Sequence, residues 1–330
     1  MANLSRVGIA SLSSYLPEKV LTNQFFESYL DTSDEWLTQR TGIKTRRMLS
    51  EGQTNSDMAT NVAKECLTKA NLTAEELDYI IVATVSPDRP LPATACFVQA
   101  KTGAVNAAAL DVAAACSGFL YALTIGESLI ASNAAKNVLV LGSESIISIG
   151  NWNDRGTMPL FGDGCGGVLL QPWKEGMPEL LATDLGADGT AADLLTIRAG
   201  GQELPLTHEL LDAQAHKVVM DGNAIFKRAV RTMVGTTLKA LAKCGLTEKD
   251  ITWLVPHQAN RRILVSTARG LGIPEENVYI NIDRVGNTSA ASIPIALHEA
   301  VEGNNFKKGD IICMCAFGGG LTWGSAVVRW

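Results

Sequence analysis

The sequence predicts an α/β protein built from two similar halves, with mixed sheets covered by helices. Three observations predict it. Short segments rich in β-branched residues alternate with stretches of helical periodicity. One helical stretch, 118–132, is apolar almost all round and calls for burial on every side. Parts of the chain also occur twice.

In chain order, buried strands are expected at 80–85, 108–112, 138–142, 167–170, 252–255, 278–282, 311–316 and 325–329. Besides 118–132, a helix is expected at 54–70, where apolar residues recur at helical spacing. Leu72-Thr73-Ala74-Glu75-Glu76 precedes one strand, and Leu246-Thr247-Glu248-Lys249-Asp250 precedes another 174 positions later. Residues 136–140 match 309–313 at nearly that spacing. The FGDG at 161–164 and FGGG at 317–320 stand only 156 apart, so about 18 extra residues (174 less 156) belong to the first half, within 145–160. The stretch 171–201, rich in Gly, Pro and Asp, is the expected boundary, giving halves 1–174 and 175–330. A site at their junction would draw groups from both.

With 46% hydrophobic and 19% charged residues the chain can bury a large core, which excludes disorder. The net charge of −6 argues against bulk nucleic-acid binding. Seven cysteines, an odd number without any CxxC, indicate neither a disulfide framework nor a zinc site; no metal is expected. The first 20 residues lack a charged segment followed by an apolar block, and no run of about 18 apolar residues occurs. A reduced cytoplasmic setting without membrane insertion is expected.

Three positions can do chemistry. In Asp111-Val112-Ala113-Ala114-Ala115-Cys116-Ser117-Gly118 a strand turns into a helix, so Cys116 sits where a positive dipole end favours a thiolate. Its backbone N–H can face a developing oxyanion. In Trp253-Leu254-Val255-Pro256-His257 a histidine follows a strand end, a usual place for catalytic groups in α/β folds. The other histidines, His208, His216 and His298, lie in polar or helical surroundings and are expected to be solvated. In Val285-Gly286-Asn287-Thr288-Ser289-Ala290 the chain turns into a small-residue helix, near the place the repeat gives Cys116; Asn287 offers a neutral N–H donor or simply caps the turn. Residues 162–167 contain GxGxxG, but a strand-like sequel replaces the helix a dinucleotide site needs, so that reading is rejected. The glycines at 318–320 let backbone N–H groups approach a ligand closely.

DVAAACSGF, PHQAN and GNTSAAS, in that order, resemble the Cys-His-Asn triad of the β-ketoacyl-acyl-carrier-protein synthase III family. Asp31-Thr32-Ser33-Asp34-Glu35-Trp36, Arg40-Thr41-Gly42-Ile43, Asn153-Asp154-Arg155-Gly156, FGDG and FGGGLTWGSAVVRW extend the resemblance over the whole chain. It implies a thiolase-like five-layer αβαβα fold of two halves and a homodimer. It implies an acyltransferase that condenses an acyl-CoA with malonyl acyl carrier protein (ACP), with acyl-CoA as substrate and no tightly bound cofactor. Cys116 resembles the nucleophile, and His257 and Asn287 the pair that binds the malonyl thioester carbonyl. The backbone N–H of Cys116 and that of Gly319 resemble the oxyanion donors. Trp36 and Arg155 resemble the residues sandwiching the adenine of CoA, while Thr32, Arg40, Asn223 and Asn260 resemble further CoA contacts. Gln258, Ala259, Asn260, Arg261 and Arg262, with Lys227 and Arg269, resemble the ACP-docking face. The resemblance implies acetyl-CoA or another short acyl-CoA as primer in the initiation of fatty-acid synthesis; Leu91 falls where some relatives carry an aromatic that limits the acyl tunnel, which leaves a paralogue of secondary metabolism with longer or branched primers as the alternative. Ser117 replaces a smaller residue of relatives, with little effect expected.

Overall fold

A computed structural model describes residues 5–330. Residues 1–4, part of the N-terminal segment read for a signal sequence, lie outside the described residues. Nine strands are hydrogen-bonded in one sheet: β1 (Val7–Tyr15), β2 (Tyr79–Ala83), β3 (Ala108–Val112), β4 (Val138–Glu144), β5 (Gly164–Pro172), β6 (Glu179–Ala187), β7 (Trp253–Pro256), β8 (Ile311–Gly318) and β9 (Thr322–Arg329). Their order in space is β7-β8-β9-β6-β1-β5-β4-β2-β3. β1 and β6 meet through two residue pairs only, Val7–Leu180 and Gly8–Glu179, so two sheets join at a corner.

The same order recurs on both sides of that corner. From β1 outward, β5 and β4 are antiparallel neighbours in turn, then β2 and β3 run parallel to β4. From β6 outward, β9 and β8 are antiparallel in turn, then β7 runs parallel to β8. A single parallel bridge, Leu254 to Val278, stands where β3 stands in the first series.

The strand expected at 278–282 is therefore not formed. The Gln258 amide explains why. Its Nε2 donates to the Tyr279 carbonyl at 3.1 Å and its Oε1 accepts from Asn281 N–H at 3.1 Å. These backbone groups are satisfied by a side chain rather than by a ladder, and the chain turns into the short helix Ile282–Val285. The expected boundary stretch 171–201 is also not free of strands. It contains β6, which pairs with β9 from Glu179 to Ala187. Flanking turn residues such as Gly176 and Pro178 hide this strand in the sequence.

Seven helices of eight residues or more complete the fold: α1 (Asp34–Thr41), α2 (Asn55–Ala70), α3 (Thr94–Thr102), α4 (Gly118–Ala131), α5 (Gly222–Lys243), α6 (Arg261–Gly270) and α7 (Ser292–Glu302). α2 opens with a reciprocal capping box, Thr54 N–H donating to Asp57 Oδ2 at 2.8 Å, and ends at Asn71 in the left-handed region (φ 53°). It covers the outer face of β1, β5 and β4, with α3 beside it. α5, with α6 beside it, covers the outer face of β9, β8 and β6. α4 and α7 fill the space between the two sheets; α4 touches β4 and β2 as well as β6 and β9. The layers are thus αβαβα, the five-layer thiolase-like fold. The apolar character of α4 follows from this place, although its burial is not all-round, since Ile125 and Ser128 are exposed. Phe119, Leu120 and Leu123 are buried there with Ile293 and Leu297 of α7. Each such side chain contributes about 1.5–3 kcal/mol of burial free energy.

The two middle helices are entered by matching turns. Ala115 (φ 45°) precedes α4 and Ser289 (φ 49°) precedes α7, both left-handed and neither glycine. The turns touch: a Cβ on Gly118, the first residue of α4, would stand 3.5 Å from Ala290 Cβ, and one on Gly142 of β4 would stand 2.3 Å from the Ala290 carbonyl oxygen. His298 is not solvated as expected. Its ring lies between Ser14 Oγ at Nδ1 (2.8 Å) and Lys69 Nζ at Nε2 (3.0 Å). Among the described residues no helix is long and apolar enough to cross a membrane.

Candidate active site

Cys116 stands in the short helical turn Ala115–Ser117 between β3 and α4. Close approach from the second half defines its surroundings. A Cβ on Gly318 would lie 2.6 Å from the Cys116 backbone nitrogen, so only glycine fits there. Ser117 is fully buried and its hydroxyl donates to Thr322 Oγ1 at 2.7 Å, tying the turn to β9. Its hydroxyl thus has a structural role that the sequence reading underrated.

His257 follows β7 and is 1% exposed. Its backbone N–H donates to the Cys315 carbonyl at 2.8 Å, which continues the β7–β8 pairing. Its Nδ1 lies 2.6 Å from Ser292 Oγ. Gln258 N–H donates to the same Oγ at 3.4 Å, and the only acceptor the serine proton meets among the described residues is Nδ1. The imidazole then carries its proton on Nε2, as a donor. Burial pushes its pKa down to about 3, so the ring is neutral. Replacing Ser292 by alanine releases this tautomer control. The expected result is a decarboxylation kcat about tenfold lower, or about 1.4 kcal/mol, with the malonyl KM unchanged; steady-state CO2 release checks it.

Asn287 is held like a strand residue against the FGDG loop. Its N–H donates to the Leu160 carbonyl at 2.8 Å and its carbonyl accepts from Gly162 N–H at 3.0 Å. Gly286 has φ 68°, and a Cβ there would sit 3.0 Å from the Leu160 carbonyl, which makes glycine necessary. Ser289 N–H donates to Asn287 Oδ1 at 2.9 Å. A backbone N–H can only donate, so this contact fixes the oxygen and leaves the Nδ2 hydrogens free as donors.

Two cavities meet at Cys116. An apolar one of about 350 Å3 is lined by Val85, Ile146, Ile149, Phe161, Ile197 and Val218, with Cys116, Ser289 and Gly319. A larger, more polar channel of about 950 Å3 carries Cys116, His257 and Asn287 together. Trp36, Arg40, Arg155, Asn223, Asn260 and Lys227 line that same channel, as do Ala259 and Arg262. The Arg155 guanidinium sits 5.7 Å and that of Arg40 5.1 Å from the Trp36 ring centre. Arg155 is also bonded to Asp31 Oδ2 at 2.8 Å.

Other expected residues fall elsewhere. Thr32 does not line the channel, and its hydroxyl is buried without a partner among the described residues. Gln258 is 0% exposed, its amide spent inside the fold, so it cannot dock a partner. Arg261 pairs with Glu275, and Arg269 is exposed in the last turn of α6. Leu91 is 83% exposed and lines neither cavity of this copy. Ser289, Ser292 and Glu144 matter to the site but carry no mark in the sequence. A serine in a helix-start turn is a common cap, so nothing local marks it.

The resting cysteine is also not the thiolate that its helix-start position suggested. Burial pushes the Cys116 thiol up to about 12, and the opposing Ser289 contact is the smaller effect. Desolvation outweighs the helix dipole here.

The pH dependence of folding follows from these groups. Free histidine has its pKa near 6.5 and His257 near 3. Above 6.5 both forms are neutral and nothing changes. As pH falls from 6.5 towards 3 the unfolded chain takes up a proton that the fold refuses, so stability is lost. Asp163, raised by burial from 3.8 to about 6, works oppositely: as pH falls from 6 towards 3.8 the fold takes the proton first. The expected result is a His257→Gln protein lacking an acid-side loss of up to about 1.4 kcal/mol per pH unit. Denaturant midpoints from pH 7 to 4.5 check it against the unmodified protein.

Fold and site together define a condensing enzyme of the thiolase-like class, with a half-buried cysteine sharing one channel with two neutral donors. Family models of 3-oxoacyl-[acyl-carrier-protein] synthase III match residues 110–189, and of its C-terminal part residues 241–330. The chain is 49% identical over 323 residues to the β-ketoacyl-[acyl-carrier-protein] synthase III of Caldanaerobacter subterraneus, covering 98% of this chain and 97% of that protein. It is 47% identical to the enzyme of that name from Clostridioides difficile, covering 99% of each. The crystal structure of 3-oxoacyl-[acyl-carrier-protein] synthase III from Aquifex aeolicus superposes with a TM-score of 0.91 at 46% identity, covering 98% of this chain and 100% of that one. The chain belongs to the β-ketoacyl-acyl-carrier-protein synthase III family.

Proposed function

We propose that the chain transfers an acyl group from acyl-CoA to Cys116 and condenses it with malonyl-ACP, releasing CoA and CO2. With an acetyl primer the product is acetoacetyl-ACP, the first intermediate of fatty-acid synthesis. The observation that carries this reading is the meeting of Cys116, His257 and Asn287 in one channel. Thioester exchange needs a sulfur nucleophile and an oxyanion site. Loss of CO2 from a malonyl thioester leaves an enolate, whose charge gathers on the carbonyl oxygen. Neutral His257 Nε2–H and Asn287 Nδ2 are donors suited to that oxygen, and no strong base is needed. The Cys116 backbone N–H and that of Gly319 would serve the tetrahedral intermediate of acyl transfer.

Trp36 and Arg155 would clasp the CoA adenine, with Arg40, Asn223 and Asn260 along the arm. Arg262, Lys227, Arg261 and Arg269, with Ala259 and Asn260, would face an acidic carrier protein on an otherwise anionic chain. The edge strand β3 is half-exposed, and Leu91 and Val105 are 83% and 71% exposed, which favours a second copy pairing there. The acyl-tunnel role that the resemblance gives Leu91 requires such a homodimer. A cytoplasmic setting and a division into halves at 174/175 belong to the same reading.

The apolar cavity favours a second reading, a paralogue of secondary metabolism with longer or branched primers, because about 350 Å3 far exceeds the needs of one methyl. Incubation with acetyl-, isobutyryl- and octanoyl-CoA, followed by mass spectrometry of Cys116, tests both. An acetyl adduct that proceeds to acetoacetyl-ACP supports initiation. Loading by octanoyl-CoA alone overturns it, and no adduct at all overturns the condensing reading.

A further inference from the structure

Glu144, at the end of β4, is a fully buried carboxyl that the mechanism above does not use. Its Oε2 accepts from Ser86 Oγ at 2.5 Å, Thr84 Oγ1 at 3.1 Å and Val85 N–H at 3.1 Å. The direction of each bond is fixed by other contacts. Val85 offers a backbone N–H. Thr84 Oγ1 already accepts from Asn55 Nδ2 at 3.0 Å and Ser86 N–H at 3.1 Å, so its own proton goes to Glu144. Ser86 Oγ accepts from Ser145 N–H at 2.8 Å, and the only acceptor its own proton meets among the described residues is Glu144 Oε2. Oε2 therefore has no room for a proton. Oε1 has one partner, the Ser289 hydroxyl at 2.9 Å, and a proton can sit on either side of that contact.

Ser289 in turn lines the apolar cavity with Cys116, its turn packed against the nucleophile's turn, and its hydroxyl acts to lower the thiol pKa. Among the described residues the one partner left to exchange a proton with Glu144 is Ser289, which shares the cavity of the nucleophile. We propose that Glu144 accepts the Cys116 thiol proton through Ser289 during acyl loading, a role that rests on the condensing reading and extends it. The S–H proton passes to Ser289 Oγ while the serine proton passes to Glu144 Oε1. The sulfur pair attacks the thioester carbon and the carbonyl pair moves to oxygen. When the intermediate collapses, the carbon–sulfur bond to CoA breaks. The Glu144 proton returns through Ser289 to the departing CoA sulfur, which shares the same carbon. The carboxylate is regenerated, and no proton is left over. Glu144 touches no substrate; it acts through Ser289.

The electrostatics agree. Besides Cys116, the titratable group facing Glu144 is Asp163, whose oxygens accept from Leu49 N–H at 2.9 Å and Ile147 N–H at 3.0 Å. Burial raises the thiol and the Glu144 carboxyl alike, which makes the carboxylate a stronger base. His257, at about 3, is a poor one.

The test is rapid-quench mass spectrometry of Cys116 acylation by acyl-CoA between pH 6 and 9. It compares the unmodified protein with Glu144→Gln, Ser289→Ala and the double variant. The unmodified protein comes first: its failure to acylate would sink the condensing reading, not the Glu144 role. Each single change is expected to slow acylation by about 10²-fold or more. The double variant is expected to be no slower than the worse single one, since both cut one route. In Glu144→Gln the rate should climb about tenfold per pH unit as hydroxide replaces the carboxylate, while the unmodified rate stays flat above pH 7. CO2 release from a malonyl thioester, which needs His257 and Asn287 only, should stay within about threefold. Ser289→Ala keeps the backbone N–H that orients Asn287, so it carries the test if Glu144→Gln does not fold. Acylation at the unmodified rate, parallel pH profiles, or equal loss of acylation and CO2 release each overturns the proposal.

Discussion

Cys116→Ala protein is expected to take up no acyl group from acyl-CoA while keeping much of its CO2 release from a malonyl thioester. Asn287→Ala protein is expected to do the reverse. The division follows from geometry. Loading needs the sulfur and the backbone donors around it, none of which Asn287 supplies. Decarboxylation needs donors at the enolate oxygen, and the sulfur is not one. Loss of one such donor costs about 10²–10³ in rate, so Asn287→Ala should lower CO2 release by that factor and acylation by less than about tenfold. Adduct mass and CO2 evolution, measured on one preparation of each variant, decide the matter. If both variants lose both half-reactions equally, the assignment of roles is wrong.

Gly142→Ala is expected to destabilise the fold strongly, because β4 meets the turn before α7 there without room for a methyl group. The new Cβ would stand 2.3 Å from the Ala290 carbonyl oxygen and 3.2 Å from Ala291 Cα. Both are backbone atoms of the turn before α7, so no side chain can swing aside. Overpacking of this kind costs about 3 kcal/mol or more. The displaced turn carries Ser289 and follows Asn287, so the protein that still folds should lose decarboxylation as well. Urea midpoints and CO2 release check the pair of effects. A stable variant with normal decarboxylation would show that the turn yields freely.

Much of this was legible in the sequence, for physical reasons. α4 announced its buried place because it is mostly apolar. The 174-residue repeat was real where the chain repeats hydrogen-bond chemistry: Thr73 and Thr247 both open capping boxes, and Ala115 and Ser289 hold the same left-handed turn. It failed at 278–282, where the long-range amide of Gln258 replaced a ladder. Cys116, His257 and Asn287 could be named because each sits at an element end. The state of the thiol could not, since burial is decided by residues far away in the chain. Gln258 resembled a docking residue by its neighbours alone, whereas only the fold shows its amide turned inward. Ser292 and Glu144 act through single contacts across 35 and 145 residues, to His257 and Ser289, and no local pattern carries such information.

The corner where β1 meets β6 is slight, so the two sheets are joined mainly by α4 and α7, each of which touches strands of both. The nucleophile's turn comes from one of these helices and the amide's turn from the other. Neither piece of the chain, made alone, would own half of a working centre; it would own half of the walls. Chemistry in this molecule should therefore vanish on warming in one step with that helix seam, leaving no partly competent form behind.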